Sequence, residues 1–261
     1  MFRIGCCADV SRIEELMKAG FDYIELNLAQ VTLMSESEFE GCRRRVEQSG
    51  LKAEAFNCML AGKDLIVGPN RNLACMEQRL AQAFRRARLL GGKILVLGSG
   101  AARRIPAGYA VEQGREEFTA FLQLVNLLAG EYGVEIAVEP LNRRETNLIT
   151  SVSEAYGLVQ RACLTHVHVL ADLYHMALEQ ENFSVLETVG GALVHTHIAN
   201  PDGRYYPSRK DRYDYRPFFR ALQKNGYRGR VSLEGICREP ENWLDETAES
   251  LLCLKEIIKE G

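Results

Sequence analysis

Three observations lead this sequence to predict a closed (β/α)8 barrel, an α/β fold. Short apolar runs of strand length alternate with helical segments eight times, the order that builds a parallel sheet covered by helices. No composition shift or low-complexity linker interrupts residues 1–261, so the chain reads as one domain. An open doubly wound sheet would need a glycine-rich phosphate turn after its first strand. The turn that comes nearest, Gly98-Ser-Gly100, follows the fourth strand and reads as a tight bend.

Residues 2–7 predict the first strand, followed by an amphipathic helix from Val10 to Ala19 that Gly20 caps. Tyr23–Leu28 reads as the second strand and Ser35–Ser49 as a charged helix with Gly50 after it. Further strands are expected at 52–57, 93–98, 135–139, 166–172, 193–199 and 230–235. The helices between and after them fall at 72–90, 111–131, 153–163, 181–189, 215–225 and 243–259. In the fifth strand Pro140 cannot donate to the ladder, which makes Glu139 the expected last strand residue.

Hydrophobic residues at 46% and charged residues at 26% suit a soluble globular chain with a sizeable core. A formal net charge of −3 gives no electrostatic case for nucleic acid, and no apolar run reaches the length of a membrane span. The opening Met-Phe-Arg-Ile-Gly enters a strand without a signal-peptide pattern. Eight cysteines stand singly apart from Cys6–Cys7, with no Cys-x-x-Cys, so reduced and mostly buried thiols and a cytoplasmic location are expected.

Active sites of such barrels sit at the C-terminal ends of the strands. There the fifth strand offers Glu139, the sixth Asp172 with His175 three residues on, and the eighth Glu234 before Gly235. The seventh places His195 and His197 on one face by its period of two. Each residue alone has an ordinary reading: a helix cap, a core histidine, half of an ion pair. Four on four successive strands point to one site. Converging carboxylates repel unless a cation sits among them. Three carboxylates and one imidazole form a mostly hard set suited to one divalent ion, Mn²⁺ or Mg²⁺, with Co²⁺ as an alternative. His166, His168 and His195 lie deeper in their strands and read as interior residues. Glu25 reads either as a substrate contact or as the partner of a nearby arginine.

Val138-Glu-Pro-Leu-Asn-Arg-Arg-Glu145, Ala171-Asp-Leu-Tyr-His-Met176, His195-Thr-His197 and Leu233-Glu-Gly235 resemble, in order and spacing, the sugar phosphate isomerase/epimerase superfamily of xylose isomerase-like TIM barrels. The likeness covers essentially the whole chain and is strongest to the ketose 3-epimerases acting on tagatose and psicose. It implies that Glu139, Asp172, His197 and Glu234 hold one divalent ion, Mn²⁺ foremost. It implies that Glu139 and Glu234 are the acid/base pair, that Glu145, His175 and Arg204 contact the sugar, and that the protein is a homodimer or homotetramer. After His197 the epimerases continue with a Gly-Glu-Ser-Asn-Arg-like run, where this chain has Ile-Ala-Asn-Pro-Asp-Gly-Arg.

Inversion at C3 of a ketose needs a proton removed from one face and returned to the other, which two opposed carboxylates supply. A hydroxypyruvate-type aldose–ketose isomerase or an inosose dehydratase would use most of the same ligands. A non-catalytic barrel serving as a binding or assembly subunit should have lost one. An abasic-site endonuclease would need histidines at the third and fourth strand ends, which read Ala55-Phe-Asn-Cys and Leu97-Gly-Ser-Gly. The basic segment from Arg204 to Arg212, with Tyr205, Tyr206 and Tyr213, is expected to form a lid without a phosphate contact.

Overall fold

The computed structural model describes residues 2–62 and 64–260. Eight parallel strands close in sequence order, β8 pairing back onto β1. They are β1 Arg3–Cys7, β2 Tyr23–Asn27, β3 Ala53–Asn57, β4 Ile94–Leu97, β5 Glu135–Val138, β6 Val167–Asp172, β7 Leu193–Ile198 and β8 Arg230–Leu233. The helices are α1 Ile13–Ala19, α2 Leu28–Leu33, α3 Glu36–Ser49, α4 Leu73–Leu89, α5 Gly100–Arg103, α6 Val111–Tyr132, α7 Val152–Ala162, α8 Leu173–Leu178, α9 Val185–Thr188, α10 Arg216–Asn225 and α11 Trp243–Glu260. Local chemistry starts and stops them. Ser35 and Glu38 form a reciprocal capping box at α3, and Gly20, Gly50 and Gly226 take left-handed backbone after α1, α3 and α10.

The main core lies between barrel and helices, where Phe56, Phe84, Phe118, Phe121 and Phe218 are fully buried. A small second cluster of Tyr23, Ala55, Ile94, Val96, Ala137 and Leu170 fills the barrel interior. Two register shifts tune that interior. Ile24 pairs with Ala53 but Glu25 with Ala55, so Glu54 is the extra residue of a bulge. Val169 pairs with Leu193 but Leu170 with His195, which sets Asp172 level with His197.

Several local expectations change. Glu139 stands one residue beyond β5, and Glu234 one beyond β8. The segment expected as a helix at 181–189 is helical over Val185–Thr188, and α8 starts directly on β6 because the Asp172 side chain accepts from Tyr174 N at 2.8 Å. All eight cysteines are free, but Cys6, Cys42 and Cys253 alone are buried, whereas Cys58, Cys75 and Cys163 are exposed. Among the described residues, no helix is long and apolar enough to cross a membrane.

Candidate metal centre and active site

At the C-terminal rim, donor atoms of Glu139, Asp172, His197 and Glu234 lie within 4.8 Å of one another. Pro140 ends β5 and leaves Glu139 at the rim, and the bulge against β6 turns His197 to the same level as Asp172. His197 Nδ1 is 3.0 Å from Glu139 Oε1 and 3.3 Å from Glu234 Oε2. Its Nε2 donates to Glu25 Oε1 at 3.0 Å. Glu234 Oε1 accepts from Asn57 Nδ2 at 3.0 Å, and its Oε2 accepts from Arg204 Nη2 at 2.8 Å. Asp172 spends Oδ1 on the α8 cap, while its Oδ2 is buried with no hydrogen-bond partner.

The second layer holds the groups expected to face a ligand. His175 Nδ1 takes both the backbone N–H and the side-chain amide of Asn142, at 3.1 and 2.8 Å. Its Nε2 is buried and unpaired, 3.5 Å from Asp172 Oδ2. Arg204, in left-handed backbone, stacks 4.9 Å over the Tyr174 ring and reaches Glu145 Oε1 at 3.5 Å. Beneath the rim, buried Arg103 donates to the carbonyls of Leu97 at 2.9 Å and Glu139 at 2.6 Å, fastening the ends of β4 and β5 together.

Crowded buried acids set the electrostatics. Burial pushes the Asp172 carboxyl up to about 8, helped by the charges of Glu139 and Glu234. Glu139 is raised by burial and by Glu234. Burial would also raise Glu234, but His197 and Arg204 hold it down to about 2. Burial acts to lower His197, yet Glu234, Glu25 and Glu139 drive it well above its ordinary value. Burial, followed by Arg204, takes His175 down to about 3 and keeps it neutral.

The arrangement fits a hard divalent cation on three counts. Asp172 Oδ2 has a free lone pair and no donor to satisfy it. His197 Nδ1 sits between two carboxylates, where its proton occupies the place a cation would take. Gly98 has no Cβ where one would overlap Glu139 Oε2, so β4 leaves that carboxylate room. The donor set is three carboxylate oxygens and one imidazole nitrogen, with no thiolate among the four.

All seven residues expected at the site, Glu139, Glu145, Asp172, His175, His197, Arg204 and Glu234, converge on one rim. Other expectations are corrected. Glu25 is paired with histidines and not with an arginine: it is fully buried against His195 and His197. His195 is interior as expected, but His166 and His168 stand half-buried on Glu135 at the opposite end of the barrel. The Arg204–Arg212 segment, expected as a lid, is tied down at Tyr206 and Asp211. Tyr206 N donates to Ile236 O at 3.2 Å, and Arg238 holds the Tyr206 carbonyl and Asp211, both at 2.9 Å. Asn57, Tyr174 and Arg103 went unnoticed in the sequence. Asn57 alone carried a signal there, as a polar residue ending a barrel strand.

The family described as xylose isomerase-like TIM barrel matches this chain over residues 13–257. The L-ribulose 3-epimerase of Methylomonas sp. is 26% identical over 242 residues, 91% of this chain and 80% of that protein. The 3-dehydro-D-guloside 4-epimerase of Escherichia coli is 29% identical over 130 residues, 49% of each chain. In structure, D-psicose 3-epimerase from Clostridium cellulolyticum H10, crystallised with D-tagatose, superposes with a TM-score of 0.84 at 19% identity, covering 98% of this chain and 99% of that one. At that identity the likeness speaks to the fold.

Proposed function

We propose, on the premise that the chain belongs to the xylose isomerase-like TIM barrel family, that it is a divalent-metal-dependent sugar epimerase inverting the carbon beside a ketone, most specifically C3 of a ketose. One observation carries this reading. Glu139 and Glu234, from β5 and β8, flank a single imidazole nitrogen at 3.0 and 3.3 Å, so two carboxylates face one candidate cation position from different strands.

Glu139, Asp172, His197 and Glu234 would hold the ion. When bound, it supplies a Lewis acid for the ketone and the neighbouring hydroxyl and so favours an enediolate. The protein's residues do the rest. One of Glu139 and Glu234 removes the proton from the carbon beside the ketone, and the other returns a proton to the opposite face. Arg204, His175 and Glu145 hold the sugar hydroxyls. Arg204 also holds Glu234, and Asn142 leaves His175 Nε2 free to meet a hydroxyl.

A second reading moves the ketone one carbon along, to C3, with inversion at C4 by the same two-sided transfer. It draws support from the Escherichia coli 4-epimerase among the relatives. The test is incubation of the Mn²⁺-loaded protein in D₂O with a panel of 2-ketoses and 3-ketosugars, with proton NMR after chelation. Deuterium at C3 of a 2-ketose together with a new epimer, both lost in Glu139→Gln, is the expected result. Deuterium at C4 of a 3-ketosugar would select the second reading. Exchange at C1 alone would make the protein an aldose–ketose isomerase. No exchange with any sugar overturns the proposal.

A further inference from the structure

Below the rim, three strands build a polar column behind His197. Glu25 Oε1 accepts from His197 Nε2 at 3.0 Å. Its Oε2 is shared between His195 Nε2 at 2.8 Å and the Ser232 hydroxyl at 2.5 Å. The Tyr23 hydroxyl meets Ser232 Oγ at 2.7 Å, and the Tyr23 ring fills space left by Gly5, where a Cβ would overlap it. Glu25, His195, His197, Ser232 and Tyr23 are all fully buried.

A buried carboxylate is costly unless its lone pairs are met by donors. Here β7 supplies two imidazole N–H groups and β8 a hydroxyl, which fixes the carboxylate plane and therefore which His197 nitrogen carries the proton. We infer that Glu25 is a positioning residue: it holds the Nε2–H tautomer of His197 and aims Nδ1 at the cation position between Glu139 and Glu234. The geometry leaves little choice. Nε2 points into the column at an acceptor, so a lone pair for a cation is available on Nδ1. Carboxylates placed behind metal-binding imidazoles orient the ring and raise its basicity.

The inference rests on the metal-dependent reading above. Its test is Mn²⁺ titration of metal-free wild type and Glu25→Gln, with free ion followed by electron paramagnetic resonance. The amide is isosteric and still accepts from one N–H. Wild type is expected to bind one ion, and the variant to bind it about 10–100-fold more weakly. A second measurement needs no variant. Nitrogen-15 NMR of histidine-labelled wild type loaded with Mg²⁺ is expected to show His197 protonated at Nε2 and not at Nδ1. Unchanged Mn²⁺ affinity in Glu25→Gln overturns the inference, as does a His197 protonated at Nδ1 in the loaded protein. Wild type that takes up no ion overturns the underlying metal-dependent reading, a failure distinct from either of these.

Discussion

At the foot of the barrel one buried carboxylate, Glu54, meets three cations, whereas at the rim three carboxylates share one guanidinium and one imidazole. Arg3 and Arg230 reach Glu54 at 2.8 and 2.5 Å, and Lys93 stands 3.7 Å away. Burial opposes ionisation of Glu54, yet Arg230, Arg3 and Lys93 hold its carboxyl below the ordinary value. Nothing further is needed to satisfy that cluster. The rim is left short of positive charge, with Asp172 and Glu139 pushed up and a buried oxygen unpartnered. The foot is built to stabilise the fold, and the rim keeps a deficit that a ligand can fill.

The largest effect that should separate the two ends is on turnover. Glu139→Gln is expected to lower the exchange rate by about 10²–10⁴-fold. It should leave the melting temperature of the metal-free protein level or higher, because it removes one of several repelling acids; isotope exchange and a circular dichroism melt check both. Next comes Gly98→Ala. Its Cβ displaces the Glu139 carboxylate, and a shift near 1 Å costs about 10²-fold in rate. An active Gly98→Ala protein would show that this close approach does not matter.

Glu54→Gln addresses the other end. Losing the charge-assisted bonds to Arg230 should cost about 1.5–3 kcal/mol of stability, seen in urea unfolding, with kcat retained. A fall in kcat would break the division of labour between foot and rim.

The two ends should also respond to pH with opposite sign. Glu54 is depressed in the folded state, so its contribution is complete above its unfolded value of 4.5 and is lost as pH falls through the lower folded value. Asp172 is raised from 3.8 to about 8, so the metal-free folded state holds a proton that the unfolded chain releases. Stability of the metal-free protein therefore drains as pH climbs from 3.8 towards 8, and Asp172→Asn should remove that slope in melts run with a chelator. The smallest expected effect is Tyr174→Leu. It removes the ring under Arg204, worth about 0.5–1 kcal/mol, and should raise KM a few-fold with little change in kcat.

Much of this was legible in advance. Eight alternations of strand and helix implied the closed barrel, and barrel closure alone brings strand ends 95 residues apart in sequence, Glu139 and Glu234, to one rim. Glu25 was misread because its partners, 170 and 172 residues away, appear only when β2 faces β7 across the interior. His166 and His168 were placed too deep for a simpler reason. Period two says which face a side chain takes, but not how far along the barrel axis the sheet covers it.

Residue order by itself therefore determined the architecture and the acids and imidazole that end the strands. Those follow from local periodicity and from the rule that parallel strands in a closed barrel share one C-terminal face. The tertiary structure alone decided which charges are cancelled, which imidazole nitrogen faces the site, and why residue 98 must lack a side chain. Each depends on bulge-shifted registers and on contacts across the barrel, whose energies arise between residues remote in sequence.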